Sequence, residues 1–416
     1  MKRGTKLLYK KIFAGLLGGG MLFMPNWSYA LPSGGRVAGQ VVTNNGTITA
    51  GGKVMDITGS GNVAIDWNSF NIAADEIVNF KNMQAVLNYV SGGSKSEIFG
   101  KLNGAGVNVF LVNPNGILFG KTAQVNVGQL TASTRSLEKA ALNSFNGSLS
   151  PLDAGGAANV KADIINLGKL KAGKLVLEGN NLSIIGADSL EVADKSKITL
   201  RAGENINIGY EVTDKTTIDV GDGKGNTHQV SDYGKGGGDK ASDVLSTASV
   251  TDLKGSAKSI NDAMLVHDVY ELQAIDRNTG TINGSSYVVG NYMLAGDIDA
   301  GDTKNWNSGR GFDPIGRHNR TGNGVTGSFS GAFDGICHSI QNLYIRQIGN
   351  QYDGYIGLFE GIGKGGSVGN VNMAGGHIEG TSNFGSIAGL NWGTIYNIVN
   401  SAELVCSSGG VWGVGG

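Results

Sequence analysis

The chain has 416 residues, of which 70 are glycine and 5 proline, so glycine stands at more than twice its usual share of about 7% while proline is scarce. With no Gly-X-Y period, collagen is excluded. Hydrophobic residues make up 40%, enough for a packed core, and a net charge of −1 offers no basic field, which excludes nucleic acid and acidic lipid as electrostatic partners.

Residues 1–30 read as a secretory signal peptide. Lys2, Arg3, Lys6, Lys10 and Lys11 form its positive end, and Ile12 to Met24 is an apolar stretch interrupted by Gly18, Gly19 and Gly20. Ser28-Tyr29-Ala30 supplies small residues before a cleavage point between Ala30 and Leu31. The apolar stretch is shorter than the ~20 residues that span a bilayer, so a membrane anchor is the weaker alternative. The mature chain is therefore expected outside the cytoplasm.

Short apolar runs then alternate with turn residues, as in Val54-Met55-Asp56-Ile57, Val63-Ala64-Ile65 and Ile77-Val78-Asn79-Phe80. Val107 to Val112 predicts a buried strand, followed after a turn by Ile117-Leu118-Phe119 and Val125-Asn126-Val127. One short helix is predicted, over Glu138 to Asn143. Between Ile164 and Ile208 apolar groups recur at Leu175, Leu182, Leu190, Ile198 and Ile206, each with a following Gly, Asn or Asp turn. Such units build either a meander of hairpins or a solenoid coil of about 23 residues from three units. The absence of clean apolar alternation favours parallel strands, and so the coil.

Asp222 to Asn261 contains GDGKGNTH and GKGGGDK and reads as a flexible linker or protruding loop. Beyond it, residues 366–389 align with 393–416, matching Gly366 to Gly393, Asn370 to Asn397 and Val371 to Ile398. A looser copy includes Asn342. Self-similarity of this kind indicates stacked units. Asn342, Asn370 and Asn397 are expected to form one hydrogen-bonded ladder along the stack. The chain stops at Gly416 without a polar cap, so it is expected to be part of a longer repeat protein or a truncated product. Cys337 and Cys406 are either a disulfide pair or two unpaired core residues.

Three segments carry a family resemblance. They are W-x-S-F-N-I at Trp67, Ser69, Phe70, Asn71 and Ile72, L-V-N-P-N-G-I-L-F-G at Leu111 to Gly120, and V-N-V-G with A-S-T at Val125 to Gly128 and Ala132 to Thr134. Across Leu31 to Thr134 the chain closely resembles the secretion domain of the filamentous haemagglutinin family, the exported partners of two-partner secretion. A second family motif, N-P-N-L, is absent, which leaves the subgroup open. The resemblance implies an all-β fold, a right-handed parallel β-helix with an N-terminal capping sheet, and export through an Omp85-like outer-membrane transporter. From Tyr270 onward, GLFEGIGKGGSVGNV and FGSIAGLNWGTIYN are similar to the GLUG repeat of bacterial surface proteins. The expected division is a signal peptide (1–30), a secretion domain (31–145), a β-helix continuation (146–221), a linker (222–261) and a GLUG-like region (262–416).

The secretion motif is Asn113-Pro114-Asn115-Gly116-Ile117. Proline presets φ for a turn, and Asn115 and Gly116 tolerate left-handed backbone. A purely structural turn and a contact with the transporter, by strand addition while the chain is extended, are both open. Gly365 to Gly369 fits G-x-S-x-G and Gly361 to Gly366 fits G-x-G-x-x-G, but neither precedes a helix, so chance explains both. His228, His267, His318, His338 and His377 show no zinc spacing. Asp297 and Asp299 lack the nonapeptide calcium repeat and read as solvated loop. No cofactor is expected. The first reading is a secreted, surface-located adhesin, not an enzyme, with a ligand on host or neighbouring cells. A β-helical polysaccharide-degrading enzyme and a truncated, nonfunctional relative are the alternatives.

Overall fold

The computed structural model describes residues 31–37, 47–149, 160–282, 285–316, 327–347, 355–381 and 383–407. The signal peptide, with Ala30 of the cleavage point, lies outside them. Short strands stack in parallel along most of the chain. Asn62 pairs with Ala85, and Ala85 with Asn108, so each coil here takes 23 residues. Leu175 stacks on Ile198 and Leu182 on Ile206, while Leu190 stacks beneath Leu170 on a third corner. Three apolar units thus make one turn, and the architecture is a parallel β-helix, not a meander.

Stacking in register places like residues above one another. Leu102, Val125 and Leu170 form one column, and Val109, Leu130, Leu175 and Ile198 another, all buried. Burial of such a side chain contributes about 1.5–3 kcal/mol, and the column repeats it at every coil. At the N-terminal end the pairing becomes antiparallel. Arg36–Val37 runs against Asn62–Trp67, and Thr47–Gly51 against Val54–Thr58. These strands cover the first coil as the predicted cap.

One sheet of ten strands extends from Ser96–Ile98 to Thr394–Tyr396. It curls along its length, so that its outer face closes on itself. Ser183 Oγ, in Leu182–Ile184, donates to Asp334 Oδ2 at 2.6 Å although four strand steps separate them. Ala263, Leu265, Met293 and Ile336 are buried in this concavity, against Ile165, Leu167 and Ile185. Leu182–Ile184 and Ile206–Tyr210 are accordingly buried at every position. Their continuous apolar runs follow from burial on both faces.

Two expected boundaries fail. The segment 222–261 is not a flexible linker, and the alternative of a protruding loop holds for its first part only. Its polar GDGKGNTH run is the tip of an antiparallel hairpin, Lys215–Asp219 with Thr227–Ser231. Ser249–Asp252 then rejoins the stack on Ile198–Ala202, and Asn261–Val266 on Ile206–Tyr210. Composition misled because an exposed hairpin tip and a linker share polar, glycine-rich sequence. The region from 262 onward is likewise no separate body, since its strands extend the same ten-stranded sheet. The predicted helix is observed over Lys139–Asn143. The short helices Ala241–Val244 and Val269–Ala274 were not anticipated.

Candidate functional site

The segment Asn113 to Ile117 turns the chain between Lys101–Val112 and Ile117–Phe119. Asn113 opens the turn, Pro114 takes its second position, and the Gly116 N–H donates to the Asn113 carbonyl at 3.1 Å. Gly116 has φ +110°, where a side chain would be strained, whereas Asn115 is not left-handed. Only one of the two residues expected to use that backbone does so.

Asn113 is fully buried, and its amide is saturated. Nδ2 donates to the Ser94 carbonyl and to Ser96 Oγ, both at 3.0 Å, and Oδ1 accepts from Asn115 N at 2.9 Å. Asn115 is exposed, yet its Nδ2 donates to the Gly92 carbonyl at 2.7 Å. On the other side Ile117 N donates to the Asp163 carbonyl, and Asn113 N to Ser133 O. The turn therefore joins three successive coils. Only Pro114 and Asn115 reach solvent.

In the W-x-S-F-N-I segment, Trp67, Phe70 and Ile72 are buried as well. The Trp67 and Phe70 rings meet edge to face at 5.5 Å, and Trp67 Nε1 donates to Asn88 Oδ1 at 3.1 Å. Asn71 Oδ1 accepts from Glu97 N at 2.9 Å. The A-S-T segment leads to a pair that the sequence did not reveal. Arg135 donates through Nε and Nη2 to the two oxygens of Glu178, each at 2.7 Å, and Ser133 Oγ donates to the same carboxylate at 2.7 Å. Glu178 is 1% exposed, so this is a buried bidentate ion pair. The two residues stand a coil and an insertion apart, a separation no motif records.

The asparagines form polar rows, though not as one ladder. Asn397 Nδ2 donates to Asn370 Oδ1 at 3.1 Å, and Asn370 Nδ2 to Asp334 Oδ1 at 2.8 Å. Asn342 belongs to another corner, where its Nδ2 donates to Asp299 Oδ1 at 3.1 Å. The copy containing Asn342 lies one corner out of phase with the other two, because left-handed asparagine occurs at both corners. Asp56–Asn79–Asn103 and Asp163–Asn181–Asn205 repeat the arrangement. Each row starts at a carboxylate, which only accepts, and every later amide donates back toward it. Asn370→Gly keeps the φ of +55° but removes the row's centre, and should cost about 1–3 kcal/mol. Asn370→Ala should cost about 1 kcal/mol more through backbone strain. Urea midpoints of the two variants check the difference.

A second buried carboxylate fastens the hairpin of the misread segment. Glu271 Oε1 accepts from Ser231 Oγ at 2.8 Å and Oε2 meets His267 Nδ1 at 2.9 Å, with Glu211 on the far ring nitrogen at 3.2 Å. Burial alone would raise the Glu271 pKa, but hydrogen bonds from His267 and Ser231 hold it down at about 2. The bond to Glu271 raises His267 above its ordinary 6.5, against its own burial. Glu271 therefore stabilises the fold above its ordinary 4.5 and loses this as pH falls toward 2. His267 contributes fully below 6.5 and loses it as pH rises through its raised value. Thermal melts against pH should show the cluster's contribution greatest between 4.5 and 6.5, and His267→Gln should remove the alkaline decline.

Cys337 and Cys406 are not joined by a disulfide. Cys337 lies in a turn at φ +67°, and burial pushes its thiol up to about 11. Among the described residues no group of three or more His, Cys, Asp or Glu could hold a metal ion, and no helix is long and apolar enough to cross a membrane.

A family model of the TPS secretion domain matches residues 31–287. The chain is 33% identical over 180 residues to a heme/hemopexin-binding protein of Haemophilus influenzae strain Rd, covering 42% of this chain and 19% of that protein. A second Haemophilus influenzae protein of that name is 41% identical over 99 residues, 23% of this chain and 11% of the relative. Halomucin of Haloquadratum walsbyi is 31% identical over 141 residues, 33% of this chain and 1% of the relative. The chain thus spans under a fifth of the length of these curated relatives. Solved structures of the HMW1 secretion domain of Haemophilus influenzae and of a filamentous hemagglutinin secretion domain share 15% and 13% identity. They cover 90% and 92% of this chain and 84% and 100% of their own, each at a TM-score of 0.27. Because the family model spans more than half of the chain and takes in the Trp67, Asn113 and Ala132 segments, the chain belongs to the TPS secretion domain family.

Proposed function

We propose that this chain is an exported surface adhesin of the filamentous haemagglutinin type, whose N-terminal coils direct it to an Omp85-like outer-membrane transporter after passage through the periplasm. The family match over residues 31–287 carries this reading. The geometry of the motif adds a reason for its timing. Asn113, Gly116 and Ile117 are buried once the coils have stacked, so a transporter reading them meets an extended chain. Strand addition suits that state, because backbone groups are unpaired and every second side chain is free to enter a pocket. Folding outside then draws the chain forward, since each coil packs only on its neighbours and growth proceeds from the capped end. The adhesion ligand, on host or neighbouring cells, belongs to the exposed face of the later coils.

The test is co-expression of the full chain with its transporter. Asn115→Val with Gly116→Val should reduce extracellular yield at least tenfold. Unchanged yield would remove any role for this turn in export. Refolding of the purified variant, followed by circular dichroism, separates loss of recognition from loss of the fold.

A further inference from the structure

One corner of the later coils carries a pocket that export does not use. Three successive coils build it. The lowest brings Asp299, at the end of Ile298–Asp299, with Asp302 and Lys304 from the 3-10 segment Gly301–Gly309. The middle coil brings Asn342 and Tyr344, and the upper one Gly376 and His377. Stacking sets these positions, since Ile298 pairs with Ile340, Ile340 with Met373, and Tyr344 with His377. The hollow has a volume of about 470 Å³, within the range of small-ligand pockets. Its lining is fixed in advance. Asp299 Oδ1 accepts from Asn342 Nδ2 at 3.1 Å and from Gly301 N at 3.0 Å, and these bonds hold its carboxyl below its ordinary pKa. Buried Thr303 donates to the Ala300 carbonyl at 2.6 Å and accepts from Tyr344 N at 2.9 Å, which seats Asp302 and Lys304 beside Tyr344. The Tyr344 and His377 rings lie 16° from parallel with centroids 5.3 Å apart, and both stay half-exposed. His377 is oriented by Glu403, whose Oε2 lies 2.9 Å from Nδ1. Asp302 and Lys304 are exposed and make no hydrogen bond or ion pair among the described residues.

We propose that this pocket binds a neutral pyranose, the terminal unit of a cell-surface glycan. It names the ligand class for the adhesin reading and rests on that reading. The chemistry of the lining matches such a ligand. The C–H face of a pyranose packs on an aromatic ring, whose π face is negative. Sugar hydroxyls both donate and accept, and the pocket offers both roles. The Asp299 and Asp302 carboxylates and the Asn342 carbonyl oxygen accept, and the Lys304 ammonium donates. Asp299 and Asp302, with Glu403 on His377, outnumber Lys304, so an anionic sugar meets net repulsion. Groups already held by the coils lose little freedom when a ligand binds, which favours a small, polar one.

The experiment titrates the full folded chain with the methyl glycosides of glucose, galactose, mannose and N-acetylglucosamine, followed by NMR. At least one should bind, and the uronic acid of the same sugar should bind at least tenfold more weakly. Asp302→Ala with Lys304→Ala should weaken binding at least tenfold, and these exposed side chains support no part of the fold. Tyr344→Ala should abolish binding, and Tyr344→Phe should keep most of it, because the ring supplies the stacking face. Binding of none of the four glycosides, or undiminished binding by the Asp302–Lys304 variant, overturns the proposal. Adhesion of chain-coated beads to host and bacterial cells tests the reading beneath it. Beads that adhere equally with wild type and with the Asp302–Lys304 variant overturn the pocket and leave the adhesin reading standing. Glycoside binding by a chain whose beads adhere to no cell overturns the adhesin reading and leaves the pocket standing.

Discussion

Arg135→Met should lower the unfolding free energy by about 3–5 kcal/mol, because it leaves the Glu178 carboxylate buried with its bidentate partner gone. The value should fall at the lower end of that range, since Arg201 Nη1 remains 3.5 Å from Glu178 Oε2 and Ser133 still donates to Oε1. The double variant Arg135→Met with Glu178→Leu should recover most of the loss. Two apolar side chains fill the same space, and neither charge then has to leave water. Urea unfolding of the two single variants and the double variant closes the cycle. A double variant as unstable as Arg135→Met would show that the loss comes from packing and not from an abandoned charge. The location raises the stakes. Arg135 follows the A-S-T segment, and Glu178 is the penultimate residue of the long strand Lys169–Gly179, so the pair ties two coils on either side of the insertion carrying Lys139–Asn143.

Trp67→Ala should cost about 3–5 kcal/mol, as expected for the loss of a fully buried indole. The ring does more than fill space. Gly35 lies directly against it, where any Cβ would fall 2.4 Å from the ring, so the capping strand Arg36–Val37 is seated on Trp67. The indole N–H also satisfies Asn88, whose own amide donates to the Phe110 carbonyl at 3.2 Å. Trp67→Phe should therefore cost about 1–3 kcal/mol by leaving the Asn88 oxygen without its donor. Hydrogen exchange should localise the damage. Amides of 33–37 and 62–69 should lose protection, while those of 344–347 keep theirs, because a solenoid coil passes stress only to its neighbours. Equal loss at 344–347 would mean that the closed concavity couples the two ends.

Much of this molecule was legible in one dimension. The spacing of Leu175, Leu182, Leu190, Ile198 and Ile206 allows a coil of three equal units or a meander, and the parallel stacking of these residues decides for the coil. Asn113-Pro114-Asn115-Gly116 specified a turn, because proline at the second position and glycine at the fourth are backbone requirements carried by single residues. The family segments implied a capped N-terminal end, and the antiparallel strands Arg36–Val37 and Thr47–Gly51 supply it.

What the sequence left undecided depends on which residues meet after the coils have formed. Composition reads Asp222–Asn261 as a linker because it cannot tell a hairpin tip from a tether. The misplaced Asn342 came from a backbone conformation shared by two corners of the same coil. Arg135 with Glu178, and Asp334 with Ser183 and Asn207, are pairs fixed by stacking and curvature, with no constant separation along the chain. The sequence by itself determined the repeating unit and its turns, since these follow from local backbone preference and apolar periodicity. Only the tertiary structure decided how the sheet curls and what its outer face touches, because curvature is the sum of small register shifts and insertions over many coils.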